Sequence, residues 1–231
     1  MVQWLLVAPI FRLLFRGRCF GMERVPRQGG LVVVANHGSH LDPPLLGHTL
    51  PRPVSFMAKA ELLVAAVRVA AGERALSGVD GRVIDAYGGV GLFAATLLSA
   101  DVPVTIVESS ESSCRDATVN LAQHIEQTSN TDSPSEISNC NVEQWSPVPA
   151  GLVIADPART GLGPQAVSRL VATNASRIVL VSCDAVAGAR DLRLLIDAGY
   201  ELEQTTVLDL FPHTPHIETV SALQRKARAT R

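Results

Sequence analysis

The sequence has few of the patterns that mark several large classes of protein. Its 231 residues include four cysteines, none of them in a CxxC pair, which argues against a zinc or iron–sulfur centre and against a disulfide scaffold. Aromatic residues make up only 4% of the chain, and no apolar run reaches the ~20 residues that a membrane-spanning helix needs. Hydrophobic residues nevertheless make up 47%, which excludes a wholly disordered chain. We therefore expect a folded protein without a metal, in the reducing cytoplasm.

Charge divides the chain into two parts. Residues 1–62 hold seven Lys/Arg against three Asp/Glu, and residues 63–231 hold thirteen against nineteen. The net charge is therefore +4 in the first part and −6 in the second. We interpret this difference as a boundary between two domains, 1–62 and 63–231.

The first apolar run covers residues 2–15 and is followed by Arg16 and Arg18. No basic segment precedes it and no small-residue cleavage site follows, so a secretory signal fits poorly. As a helix, the run would place its large apolar side chains on one broad face with arginines at the edge. Residues 2–18 then predict either contact with the inner face of an anionic membrane or packing against the rest of the protein.

A strand pattern at 31–35 leads into the polar segment NHGSHLD at 36–42. Here the Asp42 carboxylate is spaced to orient the His37 imidazole, which could accept a proton from an attacking hydroxyl. A polar loop that caps a helix is the alternative. Residues 13–62 resemble the glycerol-phosphate acyltransferases, and the resemblance implies that His37 is a general base and Asp42 its partner. The FPEGTR-type box that grips glycerol phosphate in that family is absent downstream.

Beyond residue 64, apolar strand patterns alternate with helical patterns. The strand patterns lie at 83–87, 104–108, 152–157, 178–183 and 219–223, and the helical patterns at 92–98, 112–125, 164–172 and 186–198. This alternation predicts an α/β fold with a doubly wound, mostly parallel sheet, which binds ligands at the carboxyl ends of its strands. A Ser/Asn/Thr/Pro-rich stretch at 127–149 predicts a flexible loop, with a short strand expected at 141–145.

A glycine-rich turn at 88–91 follows the first strand of this part. Because glycine has no Cβ, the turn allows the backbone to approach a ligand closely. Glu108 ends the next strand, about twenty residues after Asp85, which suits an acid that binds ribose hydroxyls. Nicotinamide, flavin and S-adenosylmethionine sites all use such a turn. The loop reads GGVGLF instead of a strict GxGxxG, which makes a dinucleotide the less favoured ligand.

Two reactive side chains fall near strand ends in the second half of the chain. Cys183 ends an apolar strand at the predicted ligand-binding edge, where a thiol could add to an electrophilic ring carbon. An inert core cysteine is the alternative. Glu218 precedes the last strand pattern, and a carboxylate held there could accept a proton.

Five sequence boxes, in order, resemble the catalytic domain of the RNA 5-methyluridine methyltransferases. They are DAYGGVGLF at 85–93, VE at 107–108, DPARTG at 156–161, VSCD at 181–184 and DLFPHTPHIE at 209–218. The resemblance covers residues 64–225. It implies a class I methyltransferase (Rossmann-like) fold, S-adenosylmethionine as the cofactor and RNA (rRNA or tRNA) as the substrate.

The same resemblance implies roles for individual residues. Cys183 would attack C6 of uracil so that C5 can take the methyl group, and Glu218 would then remove the C5 proton. The implied cofactor-binding residues are Tyr87, Gly89, Gly91, Leu92, Glu108 and Asp156.

The sequence departs from the family in several places. Family members usually carry an amino-terminal RNA-binding β-barrel and a glutamine-bearing FxQ box, and the acyltransferase-like segment stands in their place. The DPPR box reads DPAR at 156–159, and the usual asparagine after the cysteine is Asp184. RNA uracil-C5 methylation is our prediction. A membrane-associated 1-acylglycerol-3-phosphate acyltransferase and an inactive fusion product are the alternatives.

Overall fold

The computed structural model describes residues 60–210 and 217–226, together with Glu23, Val25 and Pro26. The chain divides into two compact units, Met1–Ala58 and Lys59–Arg231. The helices and strands reported below all belong to the second unit. The predicted amino-terminal α/β appendage, the membrane-contacting segment 2–18, and the pair His37 and Asp42 lie outside the described residues.

The second unit alternates strands with helices along most of its length. Its strands are β1 Val83–Ala86, β2 Val104–Glu108, β3 Glu136–Asn139, β4 Leu152–Ala155, β5 Arg177–Ser182, β6 Tyr200–Leu208 and β7 Glu218–Arg225. Its helices are α1 Ala60–Ala71, α2 Glu73–Leu76, α3 Leu92–Leu97, α4 Glu111–Asn120, α5 Ala122–Thr128, α6 Gly163–Ala172 and α7 Ala185–Asp197.

The strands form one seven-stranded sheet in the order β3-β2-β1-β4-β5-β7-β6. Strands β1 to β5 pair in parallel. Strand β7 runs antiparallel to both β5 and β6. The prediction of a doubly wound, mostly parallel sheet is confirmed. The order reverses between β1 and β4, and in such sheets ligands bind at the carboxyl ends of the strands near that point.

The core lies on both faces of the sheet. Because successive strand residues point to opposite faces, Val83 and Ile84 of β1 belong to two different apolar clusters. Val67 of α1 packs in the first cluster, and Leu170 of α6 and Leu195 of α7 pack in the second. Complete burial of each such side chain contributes about 1.5–3 kcal/mol. The helices therefore fix the sheet from both sides and hold its carboxyl edge in place.

The third strand lies within the stretch predicted as a loop. It covers Glu136–Asn139 and pairs with β2. The expected strand at 141–145 is instead a turn, in which the Trp145 amide donates to the Asn141 carbonyl at 3.0 Å. Strand β6 was not predicted, because it is an exposed edge strand of largely polar residues with no apolar run.

Candidate functional site

The glycine-rich turn leaves the carboxyl end of β1 with three residues in the left-handed region. Their φ angles are 59° at Tyr87, 54° at Gly89 and 80° at Gly91. Gly91 is the residue that precedes α3, and its amide donates to the Gly88 carbonyl at 2.8 Å. A Cβ at Gly88 would lie only 2.9 Å from the side chain of Ile106, so that only glycine fits there. The backbone groups of the turn are therefore closely packed, as the sequence predicts.

Asp85 lies beneath this turn and is 1% exposed. Its Oδ2 atom accepts a hydrogen bond from the Ala94 amide at 3.2 Å, whereas its Oδ1 atom has no partner among the described residues. Burial raises the pKa of Asp85 to about 8, against the Ala94 hydrogen bond, and the negative charges of Asp156 and Glu108 add to the rise. In the sequence, Asp85 served only as the residue from which the spacing to Glu108 was counted. No sequence pattern predicts that one of its oxygen atoms is buried without a partner among the described residues.

Glu108, at the end of β2, joins the glycine turn to the loop that follows its own strand. Its Oε2 atom accepts from the Gly89 amide at 3.0 Å, and its Oε1 atom accepts from the Ser110 amide at 2.6 Å. The predicted ribose-binding acid thus lies beside the predicted cofactor-binding turn.

Tyr87 bonds to a residue in the segment between β3 and β4. Its hydroxyl donates to Oε1 of Glu143 at 3.1 Å. Burial and the Glu143 carboxylate raise the pKa of Tyr87, so that the phenol stays neutral. Glu143 was not singled out in the sequence, because it follows β3 in the stretch predicted to be a loop.

Asp156 directly follows β4, next to the end of β1. Its amide donates to the Ala86 carbonyl at 3.2 Å, which holds the residue at the carboxyl edge of the sheet. Burial raises the pKa of Asp156 to about 6. The structure therefore places the six residues at or just after the ends of neighbouring strands: Tyr87, Gly89, Gly91, Leu92, Glu108 and Asp156.

Cys183 and Glu218 become neighbours through the antiparallel pairing of β5 with β7. The last registered pair is Ser182 with Thr219, whose hydroxyl donates to the Ser182 carbonyl at 3.3 Å. Cys183 directly follows this pair on one chain segment and Glu218 directly precedes it on the other, so that both lie at the same end of the ladder.

The electrostatics of this pair include two further groups. Burial and the charge of Glu218 raise the pKa of the Cys183 thiol. Burial and the charge of Asp156 raise the pKa of Glu218. The positive charge of Arg159 opposes both shifts. Arg159 stands in the DPAR box, but no sequence pattern assigned it a role toward the cysteine.

Asp191 of α7 holds the loop that carries Asp156 and Arg159. This carboxylate is 1% exposed and accepts from the amides of Leu162 at 2.6 Å and Gly163 at 3.1 Å. The loop after β4 is thereby tied to the helix that follows Cys183. The sequence signal for this contact was an aspartate inside an otherwise amphipathic helix. The partners of Asp191 lie nearly thirty residues upstream, so no local pattern identifies them.

Asp184, which replaces the family's asparagine, begins α7. Its Oδ1 atom accepts from the amides of Val186 at 3.0 Å and Ala187 at 2.8 Å. Aspartate and asparagine serve about equally well at this helix position. This departure from the family pattern therefore preserves the local structure next to Cys183.

Within residues 60–210 and 217–226, no group of His, Cys, Asp and Glu side chains is arranged to hold a metal ion. In the same part of the chain, no helix is long and apolar enough to cross a bilayer.

Comparisons with known proteins bear on both parts of the chain. Residues 16–73 match the family described as "Acyltransferase", and residues 144–226 match "tRNA (Uracil-5-)-methyltransferase". A 23S rRNA (uracil(1939)-C(5))-methyltransferase of Vibrio parahaemolyticus is 32% identical over 157 residues, which are 63% of this chain and 33% of that protein. The predicted family resemblance is confirmed. The larger part of the chain is thus similar to RNA uracil-5-methyltransferases.

Solved structures agree with that relationship. The tRNA (uracil-54, C5)-methyltransferase of Pyrococcus abyssi, in complex with S-adenosyl-L-homocysteine, superposes with a TM-score of 0.57 at 31% identity and covers 74% of this chain and 41% of its own. A magnesium protoporphyrin IX methyltransferase from Synechocystis superposes with a TM-score of 0.52 at 17% identity, over 72% and 82% of the two chains, which shows the fold alone. The class I methyltransferase fold is confirmed.

The match to the RNA uracil-5-methyltransferases is a partial one. This chain spans about a third of the length of the curated relatives it matches. The acyltransferase match, in turn, runs to residue 73 and so includes α1, which belongs to the same compact unit as the sheet. The predicted domain boundary at 62/63 lies within that helix.

Proposed function

We propose that this chain binds S-adenosylmethionine and methylates C5 of a uracil in RNA, with Cys183 as the nucleophile and Glu218 as the base. The observation that carries the proposal is the register of β5 with β7. It brings a thiol and a carboxylate from residues 35 positions apart to the same edge of the sheet that bears the glycine turn. The names of the relatives supply the substrate class.

The residues at the ends of β1, β2 and β4 fit the cofactor. The glycine turn has no room for a side chain at Gly88, which suits close approach of a ligand to the backbone. The unpaired Oδ1 atom of Asp85 beneath the turn also suits a polar ligand. In this arrangement Glu108 binds the ribose hydroxyls, while Tyr87 and Asp156 line the site. When bound, S-adenosylmethionine supplies an electrophilic methyl group.

Uracil C5 is a poor nucleophile until a nucleophile adds across the C5–C6 bond, and Cys183 performs that addition. Its thiol first loses a proton, and the thiolate forms a bond to C6 while the C5–C6 double bond shifts its electrons toward C5 and the adjoining carbonyl. Arg159 favours the thiolate, since its positive charge lowers the pKa that burial raises. C5 then acquires the methyl group.

Glu218 completes the reaction. Its carboxylate removes the proton from C5, the C5–C6 double bond re-forms, and the bond between sulfur and C6 breaks, which regenerates Cys183. Burial and the charge of Asp156 raise the pKa of Glu218, which makes its carboxylate a stronger base. The step needs the base close to both C5 and the cysteine, and the antiparallel pairing of β5 with β7 supports this, because it brings Glu218 and Cys183 to the same end of the strand pair.

The test is methyl transfer from radiolabelled S-adenosylmethionine to unmodified rRNA and tRNA transcripts. We expect wild-type transfer, and a loss of at least ~10³-fold in Cys183→Ala, because the addition step has no substitute. Glu218→Gln keeps the side-chain shape and loses the base. It should accumulate a protein–RNA adduct that survives denaturing electrophoresis.

Cys140→Ala is the matched control, since Cys140 is a partly buried thiol that follows β3, away from Glu218. It should retain transfer and form no adduct. A Cys183→Ala protein that methylates RNA at the wild-type rate would falsify the covalent mechanism.

A further inference from the structure

Three carboxylates converge beneath and beside the glycine turn, and we call Asp85, Glu108 and Asp156 the acidic cradle. They lie at the carboxyl ends of the adjacent strands β1, β2 and β4. The ion pairs between described residues include none of the three. The cradle therefore concentrates negative charge that the described side chains leave uncompensated.

Asp85 is the member that points to a ligand. It is almost completely buried, and its Oδ1 atom has no partner among the described residues. The carboxyl group lies directly under the turn, since a Cβ at Gly88 would be 3.1 Å from its Cγ atom. A buried, unpaired carboxylate oxygen is costly unless it is protonated or a positive charge approaches it.

The groups around Asp85 explain why it resists ionisation without a ligand. From β2 it faces Glu108 and from β4 Asp156, both of which repel its negative charge. The group of α3 that bonds to Asp85 is the amide of Ala94. That helix, with the sequence LFAATL, carries no charged side chain that would stabilise the ionised carboxylate. The amides of Gly89 and Ser110 are already bonded to Glu108.

We propose that the acidic cradle distinguishes the positively charged methyl donor from its neutral product, by coupling the binding of S-adenosylmethionine to the release of a proton. This inference rests on the proposed function, because it assumes that the cradle is the cofactor site. S-adenosylmethionine carries one net positive charge through its sulfonium, whereas S-adenosylhomocysteine carries none.

The charge balance is simple. Before binding, part of the cradle is protonated; a sulfonium entering the site replaces one proton, which passes to the solvent. After methyl transfer the sulfur is neutral, the cradle loses its counter-charge and takes a proton back, and the product leaves more readily. The preference for the donor over the product therefore grows as the carboxyl groups of the acidic cradle lose their protons, between about pH 6 and pH 8.

Calorimetric titration of the full chain tests this without any RNA. Kd is measured for S-adenosylmethionine, S-adenosylhomocysteine and sinefungin, an analogue that carries an ammonium group in place of the sulfonium. The Kd of the product divided by the Kd of the donor should rise about tenfold between about pH 5.5 and pH 8.5. A tenfold change is expected when binding of the donor shifts the pKa of one group by about one unit. Sinefungin should follow the donor.

Titrations near neutral pH in two buffers of different ionisation enthalpy count the released protons. We expect about one proton for the donor and for sinefungin and markedly fewer for the product, by the same linkage. Asp85→Asn retains an acceptor for the Ala94 amide but cannot ionise. It should flatten the pH dependence of the ratio and reduce proton release.

Asp156→Asn, a change at a partly exposed position, gives a second test in case Asp85→Asn fails to fold, and it should flatten the lower part of the same pH range. Asp116→Asn on the exposed face of α4 is the control and should leave the ratio unchanged. Equal pH dependence and equal proton release for donor and product would overturn the charge discrimination while leaving the cofactor site intact. Failure of all three ligands to bind would overturn the proposed function as well.

Discussion

The two halves of the sheet's carboxyl edge are built in different ways. On the β1–β2 side, the geometry is set by the backbone: glycines in left-handed conformations, and a Glu108 carboxylate bonded to two amides. On the β5–β7 side, it is set by strand register, which brings Cys183 and Glu218 to the same end of the strand pair. The first side is acidic, and the second includes the positive charge of Arg159. Local sequence thus specifies the first side, whereas long-range pairing specifies the second.

The largest effect that separates the two sides is expected for Gly88→Ala. The added Cβ would meet the Asp85 carbonyl and the Ile106 side chain at 2.9 Å, so that the backbone has to shift. We expect the free energy of unfolding to fall by about 1–3 kcal/mol and S-adenosylmethionine binding to be lost. Chemical denaturation and calorimetry measure the two quantities.

Gly89→Ala is the matched control for that change. A Cβ at Gly89 meets nothing within 4 Å, so that the cost comes only from its φ of 54°. We expect a loss of about 1–2 kcal/mol from the left-handed conformation. If the two variants lost equal free energy of unfolding, the close contact at Gly88 would not be the reason that this position requires glycine.

A smaller effect, confined to the β1–β2 side, is expected for Glu108→Ala. Loss of charge-assisted hydrogen bonds costs about 1.5–3 kcal/mol, which corresponds to roughly 10- to 150-fold weaker S-adenosylmethionine binding. The rate at which iodoacetamide alkylates Cys183 should stay the same, because Glu108 is not among the charges that shift the pKa of that thiol.

Glu111→Ala serves as the control for Glu108→Ala. Its carboxylate is exposed and pairs with Arg115 on the surface of α4, so that cofactor affinity should not change. If Glu108→Ala bound the cofactor with wild-type affinity, the assignment of Glu108 to the ribose would be wrong.

The smallest effect is expected for Asp184→Asn on the β5–β7 side. Asparagine restores the family's usual residue and still accepts hydrogen bonds from the Val186 and Ala187 amides. The free energy of unfolding should change by less than about 0.5 kcal/mol, whereas Asp184→Ala should cost about 0.5–2 kcal/mol by removing the acceptor. Thermal unfolding of the three proteins gives the comparison, and a large loss in the asparagine variant would show that the charge itself is needed there.

The sequence predicts elements whose determinants are local. Apolar runs identify β1, β2, β4 and β5, and the glycine turn follows from four adjacent residues. Cys183 and Glu218 were assigned roles through the family's boxes, and their pairing in space depends on a register that no short segment encodes. Strand β6 was not predicted from the sequence. An exposed edge strand such as ELEQTT does not need alternating apolar and polar residues, which is the pattern that identifies a half-buried strand.

The electrostatic details could not be predicted for a related reason. The pKa of Asp85 depends on burial under a turn and on carboxylates that other strands contribute. The hold of Asp191 on the loop after β4 joins backbone amides to a side chain nearly thirty residues away. Both features depend on the folded arrangement of segments that are distant in sequence.

Helix α1 shows that the end of the acyltransferase match and the border of the compact unit differ in this chain. The acyltransferase match extends through α1 to residue 73, yet Val67, Ala70 and Ala71 of that helix are buried in the core of the methyltransferase-like sheet. The Ala70 carbonyl also accepts a hydrogen bond from Arg177 of β5 at 2.8 Å. A helix that lies within the acyltransferase match is thus part of the core beside the sheet, and a chain cut where that match ends would leave that face of the sheet open to water.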